Sequence, residues 1–306
     1  MPRLVSVGNV VVDLLAELPR LPTSGEDLTA TGSGVSIGGS ANTLLAAHRQ
    51  GLPVVYAGAH GDGPLGAFVR AELERAGVAI AHGPVAGDTG WDVAIVEPGG
   101  ERTFVTTVGA EARLEPAALA SLELREGDLV HVSGYGLARE PSGSALAAWI
   151  PGVPAGIVVL LDPGPLAAEL APAVLEPVLR RIDWWSGNER EALAATGARD
   201  AAAAARELAA GGFGVVVRQG AAGCLLVERG GDVRHVHGFE VDAIDSNGAG
   251  DAHVGVFLAA LASGAPPAEA ARRANAAAAI AVTRRGPATA PTTAELEAFL
   301  VRADPS

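Results

Sequence analysis

The chain opens on a largely apolar run, Leu4 to Val12, which reads as one strand buried on both faces. Such a strand needs cover above and below, so the rest of the sequence has to supply helices, and it does. A helical stretch at 41–50 leads to a strand at 53–58 and a helix at 64–76 closed by Gly77. The alternation returns with strand 128–133, helix 142–149, strand 156–162, helix 172–181, strand 182–186, helices 189–196 and 200–210, and strand 213–217. A meander at 223–239 and two helices, 250–263 and 266–283, complete it. This rhythm predicts an α/β fold with a mostly parallel central sheet between helical layers. Two segments break it. Residues 14–37 are cut by Pro19, Pro22, Gly25, Gly32 and Gly34, and the runs 91–97 and 102–108 are joined by Pro98-Gly99-Gly100-Glu101, a hairpin signal. The expected organisation is a main unit of 1–13, 38–90 and 109–306, with 14–37 and 91–108 forming a discontinuous β-sheet lid.

Of the 306 residues 49% are hydrophobic, enough for a sizeable core. All 22 cationic side chains are arginine. The absence of lysine removes Schiff-base chemistry, a Walker-type phosphate lysine and a lysine general base. A net charge of −13 argues against a nucleic-acid partner. Cys224 is the single cysteine, so neither an intrachain disulfide nor a cysteine zinc cluster can form. Only Arg3 precedes the first apolar run, which ends at Asp13 and is too short for a signal peptide; no run approaches the ~20 apolar residues of a membrane span. A soluble, cytoplasmic protein with no membrane partner is expected.

The segment with most chemistry in it is Asp245-Ser246-Asn247-Gly248-Ala249-Gly250-Asp251, between a strand end and an apolar helix. Small residues ahead of a helix leave its first amides open, and the positive end of the helix dipole points the same way, which makes an anion site. Asp251 in the first turn would accept a proton from a hydroxyl beside that anion, an arrangement suited to phosphoryl transfer to an alcohol. The plainer reading is an Asp favoured in a first helical turn, and the helix end would also lower its pKa. Gly38, Gly39 and Asn42 open the first helix, where bare backbone and an amide suit hydroxyl recognition, and Asp13 ends the first strand, where ligands bind in open parallel sheets. A turn with an N-cap region explains the same glycines.

These motifs resemble the ribokinase-like (PfkB) carbohydrate kinases. Asp245 to Asp251 looks like their C-terminal signature, Gly38-Gly39 with Asn42 like the N-terminal one, and Asp13 like the substrate Asp. Asn188-Glu189-Arg190-Glu191 resembles their N-x-x-E motif; Val215 to Gly223 looks like the nucleotide-side strand and loop; Asn275 to Ala279, followed by Thr283 to Gly286, resembles the adenine-side helix and the monovalent-cation loop. The motifs stand in family order from residue 4 to about 290. The resemblance implies a three-layer kinase with a β-sheet lid that transfers the γ-phosphoryl group of ATP to a hydroxyl of a sugar or related polyol. Asp251 would then be the base, and the amides of Gly248, Ala249 and Gly250 the anion hole. Asp13, Gly38, Gly39 and Asn42 would hold the substrate; Asn188, Arg218, Gly220, Gly223 and Asn275 the nucleotide. Glu191 would hold Mg²⁺ through water, and Asp245, Asn247, Ala281, Arg284 and Gly286 would form a K⁺ site. Relatives also imply a homodimer through the lid. Departures from the pattern are His253, Val256, Leu44, Val11 and Arg218, the last where Thr is frequent. A nucleoside kinase of the same family and a non-catalytic sugar-binding sensor stay open as alternatives; an intact Asp251 argues against the sensor.

Two other motifs compete. Gly61-Asp62-Gly63-Pro64-Leu65-Gly66 satisfies G-x-G-x-x-G and hints at a dinucleotide, but it follows the second strand and no acidic residue ends a strand about 20 residues on. Gly34-Val35-Ser36-Ile37-Gly38 matches a hydrolase G-x-S-x-G without the buried strand that motif needs. His235 and His237 share a strand face but lack a third metal ligand nearby.

Overall fold

The structure, a computed structural model, describes residues 1–97, 102–166 and 168–303. Its strands, numbered along the chain, are β1 (Leu4–Ser6), β2 (Val10–Glu17), β3 (Gly32–Gly39), β4 (Val54–Tyr56), β5 (Ala79–Ile80), β6 (Trp91–Val96), β7 (Arg102–Thr106), β8 (Leu129–Ser133), β9 (Val158–Asp162), β10 (Trp184–Asn188), β11 (Gly214–Arg218), β12 (Gly223–Val227) and β13 (Val233–His237). They form two sheets, a nine-stranded one in the order β13-β12-β11-β10-β9-β8-β1-β4-β5 and a four-stranded one in the order β3-β2-β6-β7. From β11 to β5 the large sheet is parallel; β12 and β13 return antiparallel. The helices are α1 (Ser40–Arg49), α2 (Pro64–Arg75), α3 (Pro116–Ala120), α4 (Gly134–Leu137), α5 (Ser142–Trp149), α6 (Pro172–Leu179), α7 (Glu189–Thr196), α8 (Ala201–Ala209), α9 (Ala249–Ala262), α10 (Pro267–Val282) and α11 (Thr293–Ala303).

Strand alternation builds the layers. Val5, Val130, Val159, Leu161, Val215 and Val217 point into one core, closed by α3, α5, α6, α7 and α8. Their neighbours Leu4, Leu129, Leu160, Val216 and Leu226 point into the other, closed by α1, α2, α9 and α10. Each strand is thus apolar on successive residues because each face has its own helical cover. Cys224 lies fully buried in the second core, and desolvation pushes its thiol up to about 11.

The opening run is not one strand. Leu4–Ser6 pairs in the large sheet, whereas Val10–Glu17 pairs with β3 and β6 in the small one, the chain crossing over Val7, Gly8 and Asn9. The run from Leu4 to Val12 is broken by Ser6, Gly8 and Asn9, and the crossover falls on that break; the valines on either side look alike because both sheets bury them. The pairing also carries Val10 to Asp13, and Gly38 with Gly39, into the small sheet. The expected hairpin turn at 98–101 lies outside the described residues.

The two competing motifs are used structurally. The amides of Leu65 and Gly66, at the start of α2, donate to Asp88 at 3.2 and 2.9 Å. The anion at that helix end is the protein's own carboxylate, which leaves no place there for a pyrophosphate. Ser36 pairs with Asp13 in mid-strand and sits on no strand-to-helix turn. His235 and His237 pack edge-to-face at 4.5 Å, and no group of three or more metal-ligating side chains is found among the described residues.

Candidate active site

The carboxyl ends of the parallel strands and the starts of their helices meet along one rim, the place where open α/β sheets bind ligands. Helix α9 begins there at Gly248, whose φ of +72° is left-handed; a β-carbon would sit 1.9 Å from the carbonyl of Pro287. No side chain caps this helix. Of the three amides expected to form an anion hole, that of Ala249 donates to the Ser246 carbonyl at 3.3 Å. Those of Gly248 and Gly250 have no partner among the described residues. Arg218, at the end of β11, lies against the same spot: a β-carbon on Gly250 would stand 3.4 Å from Nη2.

Asp251 projects from the first turn of α9 and accepts a hydrogen bond from Thr43 Oγ1 at 2.9 Å. That contact depends on α1 and α9 packing closely, which Gly255 allows: a β-carbon there would lie 2.4 Å from the Thr43 carbonyl. Burial, reinforced by Asp162, raises Asp251 to about 6 against the lowering effects of Thr43, Arg218 and Asn42. The weak base expected from a helix N-terminus is therefore corrected: desolvation outweighs the groups that favour the ionised form. Asp13 is raised further, to about 7, by burial and by the nearby Asp92 and Asp251.

These groups surround a cavity of about 340 Å³ lined by Asn9, Asp13, Asn42, Asp92, Tyr135 and Asp251, among others. It is at the small end of ligand pockets, which run from roughly 300 to 1,000 Å³. Gly38 forms no wall of its own; a β-carbon there would meet the Asp13 carboxylate at 2.3 Å, so its bareness makes room for Asp13. Gly39 and Asn247 also line the cavity.

On the sheet side of α9, Arg218 Nη1 bonds Ser186 Oγ at 2.9 Å and Asp162 at 3.3 Å, while Nη2 lies 3.6 Å from Glu191. Asn188 and Glu191 form a reciprocal cap on α7, Asn188 Oδ1 accepting from the Glu191 amide at 2.9 Å and Glu191 Oε2 from the Asn188 amide at 2.7 Å. Burial and Asp162 raise the Glu191 pKa. Gly220 and Gly223 shape the loop after β11 with φ of +58° and +99°. Asn275 is spent inside the protein: Nδ2 donates to the carbonyls of Val236 and His237, and Oδ1 bonds His253 Nε2 at 3.2 Å. His253 is fully desolvated and held down to about 3, hence neutral.

Two ion sites were expected. Asp162 and Glu191 present carboxylates on either side of Arg218, a donor set that suits a divalent ion held mainly by phosphate and water. Asp245 accepts from the amides of Asn247 and Gly286 at 2.8 and 3.0 Å, tying the two loops together. The carbonyls of Ala281 and Gly286 lie 3.1 and 3.3 Å from Thr289 Oγ1, whose one proton serves only one of them. These carbonyls and the Asp245 carboxylate are hard oxygen donors, the kind a monovalent cation takes. The Arg284 amide donates to Ala281 O, and its guanidinium bonds the Thr289 carbonyl at 3.2 Å and Glu295 at 2.6 Å.

The profile of the pfkB family carbohydrate kinases matches residues 1–294. The chain belongs to this family. The kinase is 32% identical over 299 residues to the uncharacterized sugar kinase YegV of Escherichia coli K12, covering 95% of this chain and 91% of that one. It is 30% identical over 307 residues to an ATP-dependent ribose-1-phosphate kinase of Halopiger xanaduensis, with 98% of each covered. Its fold matches the crystal structure of a ribokinase from Thermotoga maritima with a TM-score of 0.81 at 25% identity, covering 98% and 99% of the two chains. The kinase therefore has the ribokinase-like architecture, with the small sheet beside the large one. Several residues now placed at the candidate site or the loops beside it escaped the sequence, among them Asn9, Thr43, Asp92, Asp162 and Thr289. Only Asp162, an acid ending an expected strand, carried a legible signal.

Proposed function

We propose that this sugar kinase transfers the γ-phosphoryl group of ATP to a hydroxyl of a small sugar or related polyol, with Asp251 as general base. The observation that carries the reading is one juxtaposition: a carboxylate at about 6, on the wall of a small polar cavity, beside the uncapped start of α9. The acceptor hydroxyl would give its proton to Asp251 as its oxygen forms the bond to phosphorus. The open amides of Gly248 and Gly250, with Ala249 shaping the turn, would receive the equatorial oxygens. Arg218 would lie against the transferring group, drawn off its carboxylates by a stronger anion. Asp13, Gly38, Gly39 and Asn42 would hold the acceptor. The end of α7 at Asn188 and the loop of Gly220 and Gly223 would take the nucleotide, with Asn275 supporting that wall from beneath through His253.

Mg²⁺, arriving with ATP, would neutralise phosphate charge; Glu191 and Asp162 would hold its water shell. Asp245, Asn247 and Thr289, with the carbonyls of Ala281 and Gly286 and the backbone of Arg284, would hold K⁺ and keep the loop ahead of Gly248 in place. The small sheet covers the cavity as a lid, and its exposed Val35 and Val105 suit a second copy of the chain. A coupled assay of ADP release, with ATP and Mg²⁺ over a panel of sugars and nucleosides and with or without K⁺, tests the reading. Turnover on a sugar with no matching nucleoside activity supports it; ATP binding without turnover of any acceptor would move the choice to a sensor.

A further inference from the structure

Strands β2 and β6 run parallel with Asp13 directly in register with Asp92. Side chains at such positions share one face of the sheet, and like charges placed there destabilise it. Both line the cavity, and so does Asp251. Asp92 Oδ1 is buried without a partner. So is Oδ1 of Asn42, a residue only 6% exposed, and so is Oδ1 of Asn9; each belongs to the same lining. The orphaned atoms are all acceptors. Glu111, also in the lining, is engaged by the amides of Gly90 and Gly109. Among the described residues of the lining, Arg139 is the one cation.

A cavity walled by unmet acceptors and carboxylates is complementary to a molecule that brings hydrogens and no negative charge. Resting on the kinase reading above, we propose that the acceptor is a neutral or aminated polyol, and that Asp92, facing the same hollow as Asp13, excludes sugar acids and sugar phosphates. The Asp13–Asp92 pair accepts hydrogen bonds from two hydroxyls, or from one ammonium group, of the acceptor. An added carboxylate or phosphate would meet three aspartates in one small cavity. The family itself does not impose this, since a relative over nearly the whole chain is a ribose-1-phosphate kinase.

The test compares D-ribose, D-fructose and D-glucosamine with D-gluconate and ribose 1-phosphate. Turnover is read by ADP release, and binding by calorimetry in the presence of a non-hydrolysable ATP analogue. At least one neutral or aminated compound is expected to exceed both anions by about 100-fold or more in kcat/KM and in affinity. Asp92→Asn should shrink that gap to about tenfold or less. Wild-type protein that uses gluconate or ribose 1-phosphate as well as the neutral compounds overturns the proposal, and so does a gap that Asp92→Asn leaves unchanged. If the variant does not fold, the wild-type comparison decides alone. A charge preference in binding without ADP release from any compound would sink the kinase reading and leave this one standing. Binding of none of the five would sink both.

Discussion

Asp251 and Asp13 both hold a proton more tightly than an unfolded aspartate, whose pKa is ~3.9, and this sets activity against stability. If Asp251 is the base, as proposed, it works only when ionised, so kcat/KM should climb with pH up to about 6 and level off above it, to be read from an initial-rate profile. Asp251→Asn should lower kcat by roughly 10²–10⁴-fold with ATP affinity kept, measured by turnover and calorimetry on the same preparation. The stability consequence has the opposite sign. Carboxyls with raised pKa favour the folded state fully in acid, below the unfolded value, and lose that contribution as pH rises through 6 to 7. Asp13→Asn should therefore raise the Tm of the empty protein at pH 8 by a few degrees and change it less at pH 5, by scanning calorimetry. An equal shift at both pH values would refute this account. Asp251 was legible in the sequence because a glycine-rich loop announces a helix start. Asp92 was not: a lone Asp in a strand acquires meaning only from the register of β6 on β2, a pairing between distant parts of the chain.

At the scale of elements, two helix starts show how one pattern serves two ends. Helix α2 is closed by Asp88 from another loop; α9 is left open. Asp88→Ala should cost about 1–2 kcal/mol, the usual worth of a lost cap, in denaturant unfolding, with kcat and nucleotide affinity within twofold of wild type. Gly248→Ala is the contrary case. It strains a left-handed turn and drives a β-carbon onto Pro287, so it should cost kcat more than tenfold, since the strain falls on the turn that aims the amides. Equal kcat in the two variants would remove α9 from the mechanism. Most helices and parallel strands were readable from periodicity and from glycine and proline punctuation. The division of Leu4 to Val12 between two sheets was passed over: Gly8-Asn9 marks the break, but the apolar residues on either side look the same in either sheet. The spacing of Asn188 and Glu191 also has a local reading, the helix cap that the structure shows.

Across the whole molecule, the candidate site belongs to neither sheet alone: Asp13 and Asp92 come from the small one, Asp162 and Arg218 from the large one, and Asp251 from helix α9. Ligands that bind only the folded state raise its stability by mass action, by about 2.7 kcal/mol at a hundred times Kd. Acceptor and ATP analogue together should raise Tm by more than the sum of their separate effects, because each orders groups the other uses. Simple additivity would mean two independent half-sites.

The solitary thiol of Cys224 reports on all of this from within. It sits at zero exposure on β12, one strand in from the sheet edge and beside the Asn275 anchor. A thiol reagent can reach it only when that edge opens. The labelling rate of the unaltered protein is thus a stopwatch on local breathing near the proposed nucleotide wall, and slower labelling with ATP added would time how firmly that wall shuts.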